Sequence, residues 1–136
     1  QRNRSALIRI PRHTPGMDKA VRAELRCPDP SCNPYLAFTV MLAAGLDGID
    51  NKLPLPKPLN NVNVYHLTEP ERKRLGVKSL PGSLPEALGE LDKDKVLKEA
   101  LGVEIYEAFQ RAKWEEWEEY RIHVTDWEVK RYMEAA

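Results

Sequence analysis

Three prolines within seven residues, Pro28, Pro30 and Pro34 in "PDPSCNP", set the strongest limit on how this chain folds. Proline removes a ladder hydrogen bond from a strand and is at home in the first turn of a helix. The stretch therefore has to end one element and begin another. Upstream, "VRAELRC" alternates Arg22, Glu24 and Arg26 with Ala23, Leu25 and Cys27. Period two predicts a strand over 21–27 with a charged face and a small or apolar face that wants burial. Downstream, Asn33 is a good N-cap and Pro34 fits the first helical position. Tyr35 to Ile49 is apolar almost all round. A helix of ~15 residues spans only ~22 Å, too short for a bilayer, so a buried core helix is expected.

The rest of the chain reads mostly as helix. "ALIRIP", residues 6–11, predicts a second strand closed by Pro11, and 12–20 with its Pro-Gly pair reads as a loop. Residues 53–66 are rich in Pro and Asn and read as an extended surface loop. "EPERKRLG" predicts a short polar helix closed by Gly76. Ser83 with Glu86, and Thr125 with Glu128, have capping-box spacing at two further helix starts. Between them, Tyr106, Phe109, Trp117 and Tyr120 form an aromatic stripe over 103–121, read as core or subunit contact. The fold class expected is α+β, a mostly helical piece with about two strands, and 136 residues suffice for one domain with a sizeable core.

Net charge is zero, which argues against nucleic acid or a membrane surface as partner, and no apolar run reaches the ~18 residues of a spanning helix. The charge is unevenly placed. Residues 1–26 hold seven Lys/Arg and two acids, whereas 86–136 hold eight Lys/Arg and fourteen acids. Cys27 and Cys32 make no disulfide framework and read as free thiols. His13, His66 and His123 lack metal-ligand spacing, and no Gly-rich phosphate loop or Ser/His/Asp set is present.

The candidate site is the basic front. Six of its seven cations are arginine, whose planar fork fits carboxylate and phosphate oxygens in pairs. Arg22, Glu24 and Arg26 on one strand, with Arg2, Arg4 and Arg9 one short strand away, suit a polyanion held with a metal ion. Nucleotide phosphates with Mg²⁺ are the leading case, with Glu24 as a metal ligand. One carboxylate cannot form such a site alone, so the remaining ligands must lie outside this sequence. A solvated face of ion pairs is the alternative.

"RNRSALIRIP", "KAVRAELRCPDPSCNPYLAFTVMLAAGLDGIDNK" and "NVYHLT" closely resemble the C-terminal part of glutamine synthetase. The tail, with "LPGSLPEALGELDKD" and "KWEEWEEYRIHVTDWEVKRY", resembles the prokaryotic type I form. The resemblance implies an ATP-dependent ligase joining ammonia to L-glutamate through a γ-glutamyl phosphate. It further implies Glu24 as a ligand of Mg²⁺ or Mn²⁺, and Arg26 on substrate glutamate. Arg4 would contact both the transferred phosphoryl group and glutamate. Arg9 and Arg22 would lie on the ATP phosphates, and Lys19 on the nucleotide side. A double-ring dodecamer and an active site shared between subunits are implied as well; a cytoplasmic location is expected separately, from the lack of a recognisable signal peptide or spanning run in the sequence. The C-terminal helix would reach the opposite ring, giving Trp127 and Tyr132 a partner.

Against the enterobacterial pattern, the loop between Pro11 and Arg22 is longer. Tyr65 stands where some members carry an adenylylated tyrosine, but its flanks resemble the branch without that regulation, and no modification is expected. Residues 1–136 are expected to be the C-terminal portion of the catalytic domain. The β-grasp domain and the other metal ligands would precede it, and this piece alone would be inactive. Two alternatives stand beside this reading: a γ-glutamyl-amine ligase of the same fold, taking a polyamine or another amine, and a non-catalytic structural member.

Overall fold

Strand propensity at both ends of the basic front is realised as one short antiparallel ribbon. β1 (Ile8–Arg9) pairs with β2 (Glu24–Leu25), Ile8 opposite Leu25 and Arg9 opposite Glu24. The Arg26 amide donates to the Leu7 carbonyl at 2.9 Å and extends the pairing by one step. In this computed structural model, residues 6–11, 15–16, 19, 21–60 and 62–133 are described. The strands are shorter than the sequence pattern over 6–11 and 21–27 suggests. The expected burial of the second strand's apolar face is also not found: Leu25 is half-buried, while Ala23 and Cys27 are exposed. A two-stranded ribbon has no third layer to cover that face.

The proline cluster performs as its chemistry dictates. The Asp29 carbonyl accepts from the Cys32 amide at 3.0 Å, closing a turn between the prolines. Asn33 then caps α1 (Pro34–Asp50), its Oδ1 accepting from the amides of Tyr35 and Leu36 at 3.0 and 3.3 Å. The expectation of a buried core helix is corrected, since α1 buries no residue. Leu36, Ala37, Val40 and Met41 are half-buried. Tyr35, Phe38, Leu42, Leu46 and Ile49 form an exposed stripe, between 50% and 82% accessible. A helix that is apolar on every side needs protein on every side, and the described residues cover one side only.

Residues 53–60 carry no regular secondary structure, and a single 3₁₀ turn at Val64–His66 is capped by Asn63. Arg72 of α2 (Glu69–Leu75) holds that turn, donating to the carbonyls of Val64 at 3.2 Å and Leu67 at 3.5 Å and to Ser79 Oγ at 3.0 Å. Gly76 ends α2 at φ 67°, a left-handed conformation that glycine takes without Cβ strain.

The chain divides into two units, Gln1–Ser79 and Leu80–Ala136. The described elements of the second are helices: α3 (Leu84–Lys93), α4 (Lys95–Leu101), α5 (Val103–Arg121) and α6 (Asp126–Tyr132). Asp94 ends α3 and caps α4, accepting from the Leu97 amide at 3.1 Å. α3, α4 and α5 pack on one another around Leu88 and Leu101, the two apolar side chains that are buried among the described residues. The sizeable single core expected from chain length is thus replaced by a small one in the second unit.

Candidate functional site

The β1–β2 register decides which of the basic-front residues meet. Arg9 and Glu24 face each other across the ribbon, and Arg9 Nη1 donates to Glu24 Oε2 at 2.9 Å. Arg22, two residues before Glu24 and outside the strand, donates through Nη2 to Glu24 Oε1 at 3.4 Å. Each carboxylate oxygen thus serves a different guanidinium. The cluster is graded in exposure: the Glu24 and Arg9 side chains are 30% and 33% accessible, Arg22 62%. Arg9 Nε is buried and has no acceptor among the described residues.

Of the residues singled out by sequence, Arg9, Arg22 and Glu24 are brought together, and Arg26 comes directly after β2 with its backbone paired to Leu7. Lys19 is exposed in the segment before β2. Arg4 lies outside the described residues. Cys27 and Cys32 are free and exposed.

The donor set bears on what the cluster can hold. A hard carboxylate suits Mg²⁺ or Mn²⁺, and guanidinium forks suit phosphate oxygens. Among the described residues no group of three or more His, Cys, Asp or Glu side chains could hold a metal ion. Glu24 therefore fits as one ligand of a site completed elsewhere, not as a site in itself. The described residues also contain no helix long and apolar enough to cross a membrane.

A second polar cluster, in the helical unit, was not signalled by the sequence. Asp92 Oδ1 accepts from Tyr106 Oη at 2.6 Å and from Lys98 Nζ at 3.1 Å, and Lys98 lies 4.9 Å from the Tyr106 ring centre. The tyrosine hydroxyl first, and Lys98 second, hold the Asp92 carboxyl below its usual range. Asp92 in turn raises Lys98. Gln110 Nε2 donates to Tyr106 Oη and to the Leu88 carbonyl, both at 3.2 Å, at the side of an open cavity of about 360 Å³ bordered by Trp114. These partners lie up to 22 positions apart, beyond the reach of any periodicity.

Comparison with known proteins places this chain in a family. The sequence profile "Glutamine synthetase, catalytic domain" matches residues 1–132. A glutamine synthetase of Thermotoga maritima is 53% identical over 131 residues, 96% of this chain and 29% of that protein. One of Methanocaldococcus jannaschii is 50% identical over 132 residues, 97% of this chain and 28% of that protein. The solved structure described as "Apo GmaS without ligand" superposes with a TM-score of 0.75 at 35% identity, covering 96% of this chain and 28% of its own. The chain thus spans under a third of the length of these relatives. With a family profile over nearly its whole length and relatives at about half identity, the chain belongs to the glutamine synthetase catalytic-domain family.

Proposed function

We propose that this chain forms the phosphate- and glutamate-facing wall of an ATP-dependent ligase that joins ammonia to L-glutamate. The observation that carries the reading is the Arg9–Glu24–Arg22 cluster, with Arg9 and Glu24 paired across the ribbon and Arg26 directly after β2. In the reaction, a γ-carboxylate oxygen of glutamate attacks the γ-phosphorus of ATP and the bond to ADP breaks. Ammonia then attacks the carbonyl carbon of γ-glutamyl phosphate, the bond to the phosphate oxygen breaks, and the nitrogen loses one proton, which the departing phosphate can take up.

Phosphoryl transfer of this kind depends on positioning and charge neutralisation. Arg9 and Arg22 gather ATP phosphate oxygens, with Lys19 on the nucleotide side. Arg26 fixes the substrate glutamate, and Arg4 bridges glutamate and the transferred phosphoryl group. Glu24 contributes one carboxylate to a divalent-ion site, where Mg²⁺ or Mn²⁺ would supply neutralisation of phosphate charge.

The β-grasp domain and the remaining metal ligands would be supplied outside residues 1–136, and this piece alone would be inactive. The parent would be a cytoplasmic homo-oligomer, a double-ring dodecamer. Exposed Trp127 and Tyr132, at 65% and 62% accessible, support a subunit contact at α6. The amine-ligase alternative has less support, because the curated relatives cited above are named glutamine synthetases.

The test is a chimaera in which this chain replaces the matching segment of the Thermotoga maritima protein. ATP-dependent γ-glutamyl hydroxamate formation from glutamate and hydroxylamine is expected. Arg26→Ala should lower it at least ~100-fold, about 2.7 kcal/mol of transition-state stabilisation. A folded chimaera that makes no hydroxamate would overturn the reading.

A further inference from the structure

We infer that Glu24 is a built-in competitor of polyphosphate for Arg9 and Arg22, so that the arginine forks are held on the carboxylate until it is drawn away. This rests on the reading of those two arginines as phosphate-binding residues.

The geometry sets two guanidiniums on one carboxylate. Both carboxylate oxygens are engaged, Oε2 by Arg9 at 2.9 Å and Oε1 by Arg22 at 3.4 Å. The same Nη donors that a phosphate would need are pointed at Glu24. The bond to Arg9 uses Nη1 alone and leaves Nε buried without an acceptor among the described residues. An oxyanion that took Nε and Nη together, as a fork, would satisfy a donor that Glu24 does not. The contact to Arg22 is the looser of the two, longer and at a side chain 62% accessible.

Glu24 therefore weakens polyphosphate binding while its carboxylate is unoccupied. Whatever engages that carboxylate frees the two donors now spent on it, Arg9 Nη1 and Arg22 Nη2. By linkage, a cation on Glu24 and a polyphosphate on the arginines strengthen each other's binding by the same factor. Glu24 thereby acts as a positioning residue as well as a ligand: it keeps two cations aligned beside one another when no anion is present.

The experiment is calorimetric titration of the whole chain with tripolyphosphate in a chelator, so that no divalent ion is present. Glu24→Gln keeps the shape and removes the charge, and should tighten binding roughly three- to tenfold, the scale of two part-exposed ion pairs. Loss of a nearby negative charge alone would also tighten binding, so the substitution is repeated in an Arg9→Ala background. There the gain should fall below about twofold, because the coupling is specific to the pair. Hydrogen exchange at the Arg26 amide, bonded to Leu7, reports whether the ribbon survives Arg9→Ala. If it does not, Arg22→Ala serves as the background.

An equal gain in both backgrounds, or equal affinity of wild type and Glu24→Gln, would overturn the competitor role while leaving the phosphate reading intact. Absence of tripolyphosphate binding to both wild type and Glu24→Gln would overturn the phosphate reading itself, and the competitor role with it.

Discussion

Asp92 concentrates two donors on one oxygen, the hydroxyl of Tyr106 and the ammonium of Lys98. Both favour the ionised carboxylate, so its folded-state value lies below the ordinary 3.8. A depressed carboxyl stabilises the fold above its unfolded value, and the contribution is lost as pH falls through the folded value. Tyr106→Phe removes the larger cause, so the Asp92 titration should move up towards 3.8 and stop short of it, because Lys98 remains. Carboxyl NMR titration reads that shift. The melting difference between wild type and variant should be larger near pH 7 than near pH 3, since only the ionised form uses the hydroxyl; an equal difference at both would show that it does not. This cluster was not legible because its members meet only after α3, α4 and α5 pack. The arginine face was half legible. Alternation along 21–27 put Arg22 and Glu24 on one side, but that Arg9 lies opposite Glu24 is a fact of register, which one strand's pattern cannot fix.

Helix ends were the most readable elements, because caps are local chemistry. Thr125 and Glu128 close the expected box, the Glu128 carboxylate accepting from the Thr125 amide at 2.8 Å and the Thr125 hydroxyl accepting from the Glu128 amide at 3.2 Å. At α3 the same spacing works differently. The Ser83 hydroxyl makes no cap bond, and Glu86 reaches one residue further, to the Gly82 amide at 2.9 Å. The surroundings of α1 were the least readable, since composition gives a helix's hydrophobicity but not what covers it. Its exposed stripe sets up a contrast. Phe38 is 68% accessible, so Phe38→Asp in this chain should change stability by no more than about 0.5 kcal/mol, the usual range for surface changes. In the Thermotoga chimaera, with the rest of the catalytic domain present, the same aspartate would be buried unpaired and should cost roughly 3–5 kcal/mol. Thermal denaturation of both proteins, with gel filtration of the chimaera, checks this; an undisturbed chimaera would mean that the stripe faces water there too.

The balance of buried and exposed side chains argues the same point for the molecule as a whole. Among the described residues the buried apolar side chains are Leu88 and Leu101. Many large apolar side chains are exposed, among them Tyr35, Phe38 and Leu42 on α1, Ile8 in the ribbon, Val21 before β2, and Trp127 and Tyr132 on α6. Exposed apolar area of this extent is covered in stable soluble proteins, and the relatives, more than three times as long, have the chain with which to cover it. Residues 1–136 alone should therefore bind a hydrophobic dye strongly and associate as concentration rises in sedimentation. The chimaera should bind the dye far more weakly. A monodisperse monomer with no dye response would mean that the exposed stripes are ordinary solvated surface, and the placement of this chain inside a larger catalytic domain would lose its strongest physical support.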